Sequence, residues 1–532
     1  MKKSAASAKK LVKKSISAGE VLCVAYLALL GVMLPLAVHS AYYDITLAKA
    51  VVFWVLSALL LAAFAVWRIA GRKGAPQPLS FSLPDLLFCV FALTHIASTL
   101  LFRPLSAGLW ASDNRYQGIV SFALYLGVFL VLRRHGSFAA LVRYALWLGV
   151  SVAAALAVGE VFGVDLLGLR AISPAIELPR FFSTVGNITF LSALCVLFLP
   201  LFSVMALDAE SVSGGIIWSL GALLTLCSGI AVRADGFALG ALAGFALIPL
   251  LTREARLVRR VPRLWGAAAL AALLFSLAMR RGALYPLSSL GKVLTSPVLL
   301  LSVAAVSAVL WKLLCRRGDQ EIVVFRRVYL IVFWTLFALG VVFLVLANTL
   351  WRDKLPEAIA AVAVFSPSWG TDRGAEWMSF WQMFREASVW QKLIGSGSGS
   401  LAAWDRAHRL FSDAVTDSAH NEYLHYLLTG GVIGLGSYAA LLFLALRAAV
   451  LRPSPVRTAL ASGCAAYAVQ AAVNIAQPFT TPLFFALLAL LLSDRPAVPE
   501  EQAGENDIFW KVGLAGVAIA LLVAAAAQAR VL

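Results

Sequence analysis

The sequence predicts an all-α fold, a polytopic bundle of transmembrane helices, and three observations carry that prediction. Charge is sparse: 13% of 532 residues are charged and 61% are hydrophobic. Soluble proteins average roughly a quarter charged. So little charge cannot coat a water-facing globule of this length, which excludes a soluble enzyme or scaffold. The apolar residues also come in blocks close to the ~20 residues that one bilayer-crossing helix needs. Finally, the blocks are continuous rather than alternating, which excludes barrel strands. The mean hydropathy, +0.87, agrees.

The first block, 20–39, follows a basic start, MKKSAASAKKLVKKS. It is long enough to span, so it reads as a retained first helix rather than a cleaved signal. Ten further blocks follow, near 48–70, 85–102, 117–132, 144–162, 187–206, 214–232, 236–251, 264–279, 297–314 and 328–350. After a long hydrophilic segment come 421–446, 458–475, 479–493 and, beyond an acidic stretch at 494–507, 509–528. The blocks at 117–132, 236–251 and 479–493 are short enough to be tilted or re-entrant, so about 12–15 spans are expected. The chain thus divides into transmembrane helices 1–11 (1–350), one long outer loop (351–419) and C-terminal transmembrane helices (420–532).

The formal net charge of +17 invites a nucleic-acid partner. Its distribution argues for topology instead. With the N-terminus inside, the inner segments hold Arg68, Arg72, Lys73, Arg133, Arg134 and Arg143, then the Arg253–Arg263 cluster. Lys312, Arg316, Arg317, Arg326, Arg327, Arg447, Arg452 and Arg457 continue the series. Most outer loops carry one to three cations, which is the positive-inside bias. No nucleic-acid partner is expected. The six cysteines lie within or at the ends of apolar blocks, with no disulfide or zinc spacing, and read as small buried apolar residues.

The 351–419 segment is the one long loop, and long loops in compact proteins usually carry function. Arg373, Trp377, Trp381 and Phe384, widened by Met378 and Phe380, form a stripe at helical spacing. That stripe predicts an amphipathic helix lying at the membrane interface. The IGSGSGSL stretch after it predicts turns, because alternating Gly and Ser cannot hold a helix. The loop then enters TDSAHNEYLHYLLTGGVIGLGSY. Asp417 or Ser418 is a natural N-cap there, which would put His420 in the first helical turn at the membrane surface. A neutral imidazole at that depth is a candidate general base. Asn421 and Glu422 stand beside it, able to orient it or a substrate. Gly430, Gly431 and Gly434 have the spacing that lets another backbone approach a helix closely.

Arginine next to hydrocarbon is costly unless paired. Arg115 (SDNRYQG), Arg233 (AVRADG) and Arg373 all fall on the outer face. A guanidinium fork suits phosphate and stays charged, so the three suit a lipid-linked pyrophosphate. A local pair such as Arg233 with Asp235 is the alternative. Carboxylates are scarce at membrane depth, Glu160 near an outer end excepted, which argues against an ion-coupled transporter. No metal-ligand spacing is present.

These residues resemble a known family. His420-Asn421, nine residues, then Gly431-Val-Ile-Gly434 resembles the signature of the O-antigen ligase and O-antigen polymerase superfamily of membrane glycosyltransferases. DRGAEWMSFWQMF…KLIGSGSGSL is similar to the family's outer-loop Arg…Trp and Gly-x-Gly stretches, and places Trp377 among substrate-binding candidates. AVRADG resembles its Ser-Arg-Gly turn, with Val232 and Ala234 in place of Ser and Gly. FFSTVGNITF is similar to its Gly-Asn-x-Asn stretch, with Asn187 retained and Thr189 replacing the second Asn. The ligase pattern often has Thr or Val after Gly434; here it is Leu435.

The resemblance implies a GT-C-like, inverting, metal-independent enzyme without a cofactor, in a bacterial inner membrane with its active site on the extracytoplasmic side. The donor would be an undecaprenyl-pyrophosphate-linked glycan, and the acceptor a hydroxyl of a glycolipid or glycan. Membrane lipids would surround it. His420 would be the base, and Arg233 and Arg373 would contact the pyrophosphate. Arg115, Asn187, Trp377, Asn421 and Glu422 are the further binding candidates. A polymerase of the same superfamily and a lipid-linked glycan flippase are the competing expectations.

Overall fold

The computed structural model describes residues 17–70, 81–111, 115–173, 181–408 and 415–493. The basic start, Arg72 and Lys73, the acidic stretch 494–507 and the apolar block 509–528 lie outside the described residues.

The expected helical bundle is what forms. In chain order the helices are α1 Ala18–Leu36, α2 Ile45–Ala70, α3 Leu83–Phe102, α4 Leu105–Gly108, α5 Ile119–His135, α6 Ala140–Val161 and α7 Leu169–Ile172. A two-strand hairpin follows, β1 Phe181–Phe182 and β2 Gly186–Asn187, antiparallel with Phe182 opposite Gly186. Then come α8 Ile188–Asp208, α9 Val212–Ala231, α10 Asp235–Leu251, α11 Ala255–Gly282, α12 Ser289–Leu294, α13 Pro297–Cys315 and α14 Asp319–Asn348. The long loop contributes α15 Glu357–Ala363, α16 Trp369–Glu386, α17 Val389–Ile394 and α18 Ser400–His408. The described chain closes with α19 Glu422–Leu451, α20 Pro455–Gln470 and α21 Thr480–Leu491.

Each described apolar block is one helix, and ten of these are long and apolar enough to cross a membrane. Their starts are set locally. Ser17 accepts from Glu20 N, Asn187 from Thr189 N and Ser211 from Gly214 N. Each side chain thereby satisfies an N–H group that the first helical turn leaves open. α8 is apolar all round and buried along nearly its whole length, with Leu191, Leu194, Phe198 and Phe202 among its core side chains. It is the central post, as an all-apolar helix must be. α13 and α14 sit at the other extreme. Trp334, Phe337, Leu339 and Leu344 of α14 are exposed, a surface that suits hydrocarbon and not water.

Contacts between connections sort them onto two ends. At one end Leu284 N donates to Val161 O, Thr184 Oγ1 to Pro35 O, Tyr42 N to Ser173 Oγ, and Ser288 Oγ to Asp235. At the other, Arg133 makes a buried fork on Asp85 at 2.5 and 2.6 Å, Arg256 pairs with Asp208, and Arg259 with Asp319. The cationic clusters read from the sequence gather at that second end. Among the cysteines Cys23, Cys195, Cys227 and Cys464 are buried as expected, but Cys315 is exposed because it closes the lipid-facing α13.

The helix lengths differ in a way that matters. A helix rises 1.5 Å per residue. The 12 residues of α21 therefore reach about 18 Å, well short of the ~30 Å of a hydrocarbon core. Its neighbour α20 has 16 residues. Between them residues 471–479 run as a short 3-10 turn and an irregular strap, with Asn474, Gln477 and Phe479 buried. The strap lies at the end that holds the long loop, where Val473 approaches Gly236 at the start of α10.

Candidate functional site

The loop meets the bundle through a broken helix. α19 runs through Gly430 and then breaks at Gly431, whose φ of 71° and ψ of −177° are not helical. A side chain there would meet the Leu393 backbone, so glycine is required twice over. A break of this kind takes carbonyls out of the helical ladder. Ser396 N donates to Leu428 O at 2.7 Å and Gly397 N to Thr429 O at 3.2 Å. Ser98 Oγ of α3 also donates to Thr429 O, and Ser398 N donates to Thr99 Oγ1. The GSGSG stretch is therefore docked backbone to backbone against α19 and α3. Gly395 makes this possible, since its φ is 94° and a side chain on it would run into Thr429. Gly430 and Gly434 face His95 and Thr94 of α3. The three glycines do serve close approach, but of a loop as well as of a helix.

His420 lies just before α19 rather than in its first turn. The N-cap is Asn421, whose Oδ1 accepts from Leu424 N at 3.1 Å, because the Asx side chain closest to the first free N–H takes it. Asp417 is engaged elsewhere and Ser418 is one turn too early. His420 itself has a left-handed backbone, φ 45°, which lifts its ring away from the helix axis. Its Nδ1 is 2.9 Å from Glu376 Oε2 of α16. Trp377, the next residue on α16, donates from Nε1 to Ala419 O at 2.8 Å. Two adjacent α16 residues thus hold the ring and the turn that carries it.

α16 orients them with a face that the sequence stripe did not identify. Its buried residues are Gly374, Glu376, Phe380 and Met383. Phe380 and Met383 pack with Leu401, Ala419 and Leu428 in a small separate core. Met378 and Trp381, placed by the stripe on the same face as Trp377, are exposed at 52% and 49%. The stripe is right about helicity and off in rotation, because a carboxylate, Glu376, occupies the inward position that an apolar count passes over.

The other expected residues sort as follows. Arg115 pairs with Asp417, Nε to Oδ2 at 2.9 Å, and stands 5.2 Å over the Phe190 ring. It is thereby tied to the segment that carries His420. Arg233 occupies the turn between α9 and α10 with φ 59° and lies 5.9 Å from the Tyr285 ring centre. Asp235 accepts from Ser288 Oγ, and no ion pair joins it to Arg233 among the described residues. Arg373 feels both Glu376 and Asp235, which brings the α9–α10 turn and α16 together; burial holds its guanidinium below the usual arginine range against their pull. Asn187 caps α8. Glu422 turns away from the site: it is 1% exposed and accepts from the hydroxyls of Tyr438 at 2.8 Å and Tyr467 at 2.9 Å inside the bundle. Among the described residues no three His, Cys, Asp or Glu side chains converge as a metal site.

The arrangement combines a proton acceptor and a set of cations. A carboxylate only accepts, so in the His420–Glu376 contact Nδ1 is the donor and Nε2 is the nitrogen left outside it. Arg115 is tied through Asp417 to the segment that carries His420, and Arg373 lies one turn before Glu376 on α16. Two contributors were not singled out in the sequence. Glu376 was missed because nothing local couples residues 44 apart; its place three residues after Arg373 on the loop helix was the available signal. Arg170, beside Glu160 and Tyr285, was missed because it follows a weakly patterned segment.

Residues 293–439 match the family model described as O-Antigen ligase. The match spans α13, α14, the whole long loop and the broken part of α19, and contains Arg373, Glu376, Trp377, His420 and the three glycines. Arg115, Arg170, Asn187 and Arg233 lie outside it. Among curated proteins none matches the chain. Over this segment the chain is similar to the O-antigen ligases.

Proposed function

We propose that the protein transfers a glycan from undecaprenyl pyrophosphate to a hydroxyl of a glycolipid or glycan acceptor, on the extracytoplasmic face of a bacterial inner membrane. The observation that carries this is the His420–Glu376 pair, 2.9 Å apart, set among arginines at the end of the bundle opposite the cationic clusters. The positive-inside bias puts those clusters in the cytoplasm and the pair outside. No nucleotide sugar is available there, so the energy for transfer must travel in the donor's own phosphate linkage.

The chemistry follows from the geometry. Nε2 of His420 takes the proton of the acceptor hydroxyl while its oxygen attacks the anomeric carbon. The bond from that carbon to the pyrophosphate oxygen breaks, and its electron pair leaves with the pyrophosphate. Glu376 stabilises the imidazolium as it forms, without itself taking the proton. Arg233 and Arg373 stabilise the charge that develops on the leaving group. One displacement inverts the anomeric centre. The chain residues account for this with no metal and no cofactor in the scheme.

The test is transfer by the purified protein in liposomes, supplied with a polyprenyl-pyrophosphate oligosaccharide and candidate acceptors. Product with inverted anomeric configuration supports the assignment. A single added glycan means a ligase and a ladder means a polymerase. Retention of configuration, or movement of the donor across the bilayer without any transfer, contradicts it.

A further inference from the structure

Arg170 stands at the first turn after the α6–α7 connection, and its surroundings are unusual for a structural arginine. Its side chain is 11% exposed. Its guanidinium lies 4.8 Å from the Phe182 ring and 5.7 Å from the Tyr285 ring. Arg233 approaches the same Tyr285 ring, at 5.9 Å. Two guanidinium groups that arrive from distant parts of the chain thus converge on one aromatic side chain. Yet Nε and Nη2 of Arg170 and Nε of Arg233 are buried with no hydrogen-bond acceptor among the described residues. Buried N–H groups of charged residues without acceptors are expensive and call for an explanation.

Glu160, the carboxylate that pairs with the Arg170 side chain among the described residues, does not supply it. Glu160 Oε2 is 3.6 Å from Arg170 Nη2, an ion pair too long for a hydrogen bond. That same oxygen already accepts from Ser183 N at 2.9 Å, inside the β1–β2 hairpin. That carboxylate is committed elsewhere, and among the described residues the three nitrogens have no acceptor. The missing partner is an anion with several acceptor oxygens that can reach two guanidinium groups at once. Two linked phosphates meet that description, and arginine forks match their oxygens two at a time.

We propose that Arg170 is a phosphate-binding residue that completes, with Arg233 across Tyr285, the seat of the donor's pyrophosphate. This rests on the transferase assignment above and extends it to a residue outside the family-matched segment. The rings of Phe182 and Tyr285 hold the guanidinium flat against them, so its orientation is fixed before the donor arrives. Glu160 is then a placeholder: it keeps Arg170 charged and in position without satisfying its donors, and yields to the better acceptor.

The experiment is binding of undecaprenyl pyrophosphate to full-length protein in detergent, with undecaprenol (the same lipid without phosphate) as control. Arg170→Gln should weaken binding at least about tenfold, the loss of one or more charge-assisted hydrogen bonds, while undecaprenol binding stays unchanged. Glu160→Gln decides what Arg170 is for. If the arginine serves the pyrophosphate, removing the competing charge leaves binding equal or tighter. If it serves only an ion pair, Glu160→Gln weakens binding as Arg170→Gln does, and the proposal falls; this comparison holds even where Arg170→Gln does not fold. Unchanged binding in a folded Arg170→Gln overturns the proposal and leaves the transferase assignment standing. Failure of the wild type to bind the pyrophosphate lipid overturns both.

Discussion

Replacing Glu376 by glutamine removes one negative charge and keeps an oxygen that can still accept from Nδ1 of His420. The geometry of the pair should therefore survive and its electrostatics should not. A hydrogen bond to a charged group is worth about 1.5–3 kcal/mol. The two side chains are 29% and 11% exposed, so solvent screens part of this and the lower end applies, about 1.5–2 kcal/mol. That energy is gained only as the ring takes a proton, so it belongs to the transition state and not to substrate binding. At ~1.4 kcal/mol per factor of ten, kcat should fall about 10- to 30-fold with KM for donor and acceptor little changed. Glu376→Ala removes the acceptor too and frees the ring to rotate, so it should fall further. The assay is initial-rate transfer in liposomes, with protein amount normalised after reconstitution. If both variants keep kcat within twofold of wild type, Glu376 does not assist His420 and the dyad is a packing contact.

Trp377→Phe removes the N–H that holds Ala419 O, one neutral hydrogen bond worth about 0.5–1.5 kcal/mol; kcat should drop about 3- to 10-fold while the melting temperature in detergent barely moves. Gly431→Ala forces a side chain into the Leu393 backbone at a left-handed φ, so it should lower the melting temperature and open the 395–399 loop to protease; an unchanged protein would mean the loop is not docked there. Glu422→Gln keeps hydrogen-bonding capacity towards Tyr438 and Tyr467, so transfer should stay within a fewfold of wild type, whereas Glu422→Leu strands both hydroxyls and should reduce the yield of folded protein; loss of activity by a fully folded Glu422→Gln would return Glu422 to the substrate. Arg115→Gln and Asp417→Asn should each raise the donor KM, and the double variant should be less than additive, because the two side chains form one pair.

The fold was legible because burial in a membrane leaves a simple trace. Fourteen apolar blocks became fourteen helices, from α1 to α21, most of them close to their blocks, while α11 and α14 begin well before theirs, on polar turns. What the blocks did not carry is where helices stop short. The 479–493 block reads as a short span, but only the structure shows the 471–479 strap, with Asn474, Gln477 and Phe479 buried in the bundle. The site itself was legible in parts. His420, Arg233, Arg373 and Trp377 announce themselves as polar or aromatic residues at the edge of hydrocarbon. Glu376 does not, because its partner His420 lies 44 residues away, and Arg170 does not, because the Tyr285 ring comes from a distant part of the chain. The start of α19, three or four residues later than the expected cap, has a physical source: three nearby capping candidates, Asp417, Ser418 and Asn421, compete, and the salt bridge from Arg115 to Asp417 is a tertiary fact. Glu422 shows the reverse case, a carboxylate beside the base in sequence that a helix start turns inward to two tyrosines.

The account stands or falls on His420 as the base. The most direct measurement is transfer from a polyprenyl-pyrophosphate oligosaccharide by reconstituted wild type and His420→Ala, side by side, with pyrophosphate-lipid binding measured on the same preparations. The account predicts that His420→Ala binds the donor like wild type and forms product at least about a hundredfold more slowly, since positioned general bases contribute about 10²–10⁴. A His420→Ala protein that binds and transfers like wild type would contradict it.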